Sequence, residues 1–127
     1  MKSDLATLLP RDKFDTERAE AIIALGFPAI EPIVPALLEW MQDLNWPVAQ
    51  VLQPFLASIG SPLAPHIRRI LETDDVIWKN WVLLCIVAKS PELRTMLRPD
   101  LERLSSCPKP DEQTAALDVL AKEIILG

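Results

Sequence analysis

Proline punctuates this chain at a near-regular interval. Pro35, Pro65 and Pro99 stand 30 and 34 residues apart, and each falls where an apolar pattern of helical period begins. Proline is tolerated in the first turn of a helix, where its missing N–H would lack a partner anyway. It disrupts helix interiors and central strands. A second landmark keeps step: Asp43, Asp75 and Asp111 each precede the next helical pattern, 32 and 36 residues apart. The first two copies share more. Pro32-Ile33-Val34-Pro35 parallels Pro62-Leu63-Ala64-Pro65, and Asp43-Leu44-Asn45-Trp46 parallels Asp75-Val76-Ile77-Trp78. A period in the thirties with two helices per unit is the mark of an α-solenoid, in which each unit buries its apolar face against its neighbours.

Composition agrees. Twelve prolines stand against 3 glycines, whereas a sandwich or barrel of this size would carry more glycine-rich turns. With 127 residues, residues 1–127 form a single domain, and half of them are apolar. Surface scaling gives roughly 6,800 Å² folded against about 20,600 Å² unfolded, enough burial for a core without disulfides. Helices are expected over Thr16–Leu25, with Asp15 as cap and Gly26 as stop, and from Pro32 to Gln42 with a late or irregular start. A third runs Trp46–Ile59, kinked at Pro54 and ended by Gly60, and a fourth Leu63–Glu72. Val76–Lys89 is apolar nearly all round. Periodicity alone does not separate a buried helix from a buried strand there, but its length favours helix, and a helix inside a solenoid has little need of a polar face. Ser90-Pro91 starts a short helix through Leu97, another covers Pro99–Ser105, and Asp111 caps a single last helix through Ile125. The expected fold is all-α: a short right-handed α-solenoid of about three helical hairpins plus a C-terminal capping helix.

The alternation of helix, Gly-Pro turn, helix and Asp-led next helix resembles HEAT repeats. More narrowly, Pro10-Arg11-Asp12-Lys13-Phe14-Asp15, Glu39-Trp40-Met41-Gln42-Asp43-Leu44-Asn45-Trp46-Pro47-Val48-Ala49 and Asp75-Val76-Ile77-Trp78-Lys79 resemble the bacterial family known as domain of unknown function 5071. The resemblance covers roughly residues 5 to 105. It implies a small HEAT-like helical module and no established activity.

Chemistry is sparse. The lone histidine, His66, lies beside Arg68 and Arg69 on what reads as a solvated face, and a nucleophilic triad would need a histidine elsewhere. One His and two distant Cys give no metal constellation. The iron-binding HEAT-repeat hydroxylases carry repeated His-Glu pairs, which this chain lacks. Asp74-Asp75 reads as a helix start. The three glycines are isolated, so there is no phosphate loop. Cys85 is expected buried and Cys107 accessible. No catalytic residue, cofactor or metal site is therefore expected.

With 18 acidic against 13 basic residues, nucleic acid is not the expected partner, although Arg68, Arg69, Arg94, Arg98 and Arg103 could cluster. The longest apolar run, Trp81–Ala88, is too short to cross a membrane, and a cytoplasmic location is the simplest expectation. Tryptophan and its neighbours remain. Trp40, Asp43, Asn45, Trp46, Asp75 and Trp78 form a candidate protein-binding cluster, since tryptophan anchors carry much of the energy at interfaces. Against this, Trp46 and Trp78 hold matching repeat positions and suit the seam between units, and Asn45 suits an N-cap. The favoured reading is a non-catalytic protein-binding module, for which an immunity-type role toward a basic partner fits the size and charge. The alternative is a nucleic-acid-handling enzyme resembling the HEAT-like alkylpurine glycosylases, which use Trp and Asp around a flipped base but are longer and basic.

Overall fold

The computed structural model describes residues 5–127. Among them there are nine α-helices and no strand. Helix α1 (Thr16–Leu25) has Asp15 at its N-cap. The Asp15 carboxylate does not cap; it accepts the Arg11 N–H at 3.0 Å and pairs with Arg18 at 3.3 Å, tying the preceding loop to the helix. Gly26, at φ 74°, ends α1 in a conformation that a side chain would resist.

The next segment starts irregularly, as its prolines require. A 3-10 turn, Glu31–Ile33, leads into α2 (Val34–Glu39), which tightens again over Trp40–Gln42. Helix α3 (Pro47–Ile59) carries Pro47 at its first position and Pro54 inside, and Gly60 at φ 79° ends it. After the 3-10 turn Ser61–Leu63 comes α4 (Ala64–Leu71). Pro35, Pro65 and Pro99 all occupy the first turns of helices, as their spacing predicts.

Helix α5 (Val76–Val82) is capped by Asp75, whose carboxylate accepts the Trp78 N–H at 3.0 Å. It runs on into a π turn, Leu83–Val87, closed by the Ala88 N–H on the Leu83 carbonyl at 2.9 Å. Ser90 Oγ caps α6 (Pro91–Met96), and α7 (Arg98–Ser106) follows. The single last helix expected from Asp111 is two. Lys109 is the N-cap of α8 (Pro110–Thr114), Asp111 lies inside it, and Ala116 at φ 61° turns the chain into α9 (Leu117–Leu126). The break lets α8 bury Glu112 while α9 packs elsewhere.

Neighbouring helices meet in a consistent order. α1 packs on α3, α3 on the π turn that extends α5, that turn on α9, and α9 most extensively on α7. The first turns of α5 meet Trp40–Gln42. The shared core runs through Ile22, Leu37, Leu52, Ile67, Leu83, Ile86, Leu104 and Leu117, all fully buried. The accessible surface of 6836 Å² is that of an ordinary single domain of this mass. The fifth segment departs from expectation in two ways: Lys79 is fully buried within it, while Ile77 and Leu84 face outward, 61% and 42% exposed.

Candidate functional site

The six candidate residues fall into two groups and play different parts: Trp40 meets Trp46 and Asp43 bonds to Asn45 and Trp46, while Asp75 bonds to Trp78. Asp43 organises the turn before α3: its carboxylate accepts the Asn45 N–H at 2.9 Å, and its carbonyl accepts the Trp46 N–H at 3.1 Å. Asn45 is exposed and is not the N-cap. Trp46 holds that position, because Pro47 fits only at the start of the helix, where no N–H is needed. Asp75, by contrast, is itself the N-cap of α5, and Trp78 lies one turn inside. The matching Asp-x-x-Trp spacings therefore sit three positions apart relative to their helices, and Trp46 and Trp78 are not structural equivalents.

All four tryptophans are partly buried against the core. Trp40 and Trp46 meet edge to face, with ring centroids 5.7 Å apart and planes at 78°. They line a hollow of about 330 Å³ with Leu9, Pro10 and Ala36. Trp78 lines an adjoining hollow of about 240 Å³ with Pro35, Ile70, His66 and Arg69. Glu39 and Gln42 line both and form the ridge between them. The Trp78 indole N–H donates to the Leu38 carbonyl at 2.9 Å, which fixes that ring to α2. The indole N–H groups of Trp40 and Trp46 have no acceptor among the described residues, and neither is buried without one. His66 is less solvated than its exposed neighbours Pro65, Arg68 and Arg69. It is half-buried in the second hollow, and burial, then Arg69, push its pKa down against an opposing pull from Glu31.

Three of the five arginines named from the sequence are paired with carboxylates, and Arg94 and Arg98 share the lining of a hollow of about 360 Å³. Arg68 pairs with Asp100 at 3.1 Å, Arg98 with Glu102 at 3.0 Å, and Arg103 with Glu112 at 3.0 Å. Among the described residues no cluster of His, Cys, Asp and Glu could hold a metal ion, and no helix is long and apolar enough to cross a membrane. Cys85 is buried, which pushes its thiol pKa up against Lys89, and Cys107 is exposed.

The sequence reading missed the molecule's most charged interior feature. Lys79 on α5 and Glu112 on α8 are both fully buried and meet at 2.9 Å. Arg103 on α7 grips both oxygens of the same carboxylate at 3.1 and 3.0 Å, and the Lys109 N–H donates to it at 2.8 Å. Burial alone would raise the Glu112 pKa. The hydrogen bonds from Arg103, Lys109 and Lys79 overcome this and hold it at about 2. A lysine inside an apolar helix was the available signal, since a charge at such a position needs a partner. With Lys79 and the Glu112 carboxylate closed off from solvent, this cluster ties three helices together and offers nothing to a ligand.

The fold thus defines a small all-helical domain, with two tryptophan-lined hollows on its surface. The chain belongs to the family described as domain of unknown function DUF5071, whose model matches residues 8–125. A search of curated proteins finds no match.

Proposed function

We propose that the protein is a non-catalytic protein-binding module, built as a short right-handed HEAT-like solenoid of three hairpins with α8 and α9 as its cap. The solenoid reading is supported by the contact order α1, α3, α5, in which successive first helices pack side by side. The binding reading rests above all on the Trp40–Trp46 hollow and its neighbour, which share the Glu39–Gln42 ridge. Tryptophan with an unused N–H on a concave surface suits a contact that buries ring area and supplies an acceptor. The pairing of Arg68, Arg98 and Arg103 with carboxylates, together with a net charge of −5, weighs toward protein and against the nucleic-acid alternative. An immunity-type role toward a basic partner, in the cytoplasm, fits the same charge. Affinity capture from the native lysate tests the reading: a partner retained by the parent should be lost from Trp40→Ala. Equal capture by both proteins would refute it.

A further inference from the structure

We infer that the Trp40–Trp46 hollow receives a cationic side chain, lysine or arginine, from a basic protein partner; this rests on the protein-binding reading above. Three observations converge. The two indole planes stand at 78° and form an aromatic corner in a hollow of about 330 Å³. A cation over an indole face is drawn to the ring quadrupole, and tryptophan is the best such surface. Glu39 is the only charged residue lining that hollow, and it has no hydrogen-bond or ion-pair partner among the described residues. An unpaired carboxylate beside an aromatic corner is complementary to one kind of group: a positive charge on an apolar stem, whose methylenes lie against Pro10 and Ala36 while its head meets the ring and the carboxylate. Gln42, on the same ridge, adds an amide that can bond to the partner's backbone. Finally, the net charge of −5 favours encounter with a basic surface.

The experiment uses the full chain and short Gly-Ser peptides carrying spaced arginines, leucines or glutamates, with proton–nitrogen NMR spectra of the indole groups as readout. The arginine peptide should shift the Trp40 and Trp46 signals saturably and leave Trp81 in place. The effect should weaken as salt is added. Glu39→Gln, which removes an exposed and unpaired charge, should keep the fold and weaken binding by about fivefold, the scale of one surface ion pair. Equal shifts from the leucine or glutamate peptide, or unchanged arginine binding by Glu39→Gln, would overturn the charge preference while leaving the hollow as a docking place. No shift from any peptide would overturn the inference outright. The lysate capture would then still decide the protein-binding reading on its own.

Discussion

Glu112 shows how much a single side chain holds together. Its carboxylate is shared by Lys79, Arg103 and the Lys109 N–H, so three helices converge on it. Removing one member of a buried ionic group leaves the others uncompensated. Glu112→Gln should therefore cost about 3–5 kcal/mol in urea unfolding, whereas Lys79→Met with Glu112→Leu should cost less than Glu112→Gln alone. The pH dependence follows the same group. Its folded pKa of about 2 lies below the ordinary 4.5, so its stabilisation is present above 4.5. It is lost as the pH falls from there toward 2, a loss that Glu112→Gln should not show in that window. The tryptophans divide on similar grounds. Trp78 spends its N–H on the Leu38 carbonyl, so Trp78→Ala should lower stability toward the bottom of the roughly 3–5 kcal/mol range of large core truncations. Trp40→Ala, which breaks no hydrogen bond, should melt measurably closer to the parent.

At the scale of elements, legibility in the sequence followed local chemistry. Helix starts marked by Pro47, Asp75 and Ser90, and stops marked by Gly26 and Gly60, appear where expected because each signal acts on its own few residues. Three features were not legible. The register difference between Trp46 and Trp78 arises because Pro47 sets the start of α3 right after Trp46, while Asp75 itself caps α5 three residues before Trp78. The pairing of Lys79 with Glu112 links residues 33 apart, which no local pattern reports. The break before α9 falls at Ala116, a residue with no turn preference, held at φ 61° by the packing of the helices on either side. That conformation strains any residue with a Cβ. Ala116→Gly should therefore raise stability by roughly 0.5–1 kcal/mol in thermal or denaturant unfolding. A decrease would show that the chain bends there for another reason.

For the whole molecule, all-helical architecture was readable because it is written repeatedly, in prolines, caps and period. The proposed binding surface was only half readable. Trp40 meets Trp46, but Asp43 and Asp75 turn out to shape helix starts, while Glu39, Gln42 and Pro10 complete the hollows without any motif to flag them. Charge distribution makes a separate demand on the whole chain. With 18 acidic residues and with Arg68, Arg98 and Arg103 engaged by carboxylates, it should show no binding to duplex DNA above background at physiological salt by fluorescence anisotropy. A rival surface also exists: Ile77 on α5 and Leu84 on the π turn that extends it are exposed, with Trp81 between them in sequence. The deciding measurement is amide hydrogen exchange on the chain with its captured partner bound. Protection should centre on Trp40–Gln42 and the start of α3. Protection confined to the Ile77–Leu84 stripe, with the tryptophan hollows unchanged, would contradict the proposed binding site.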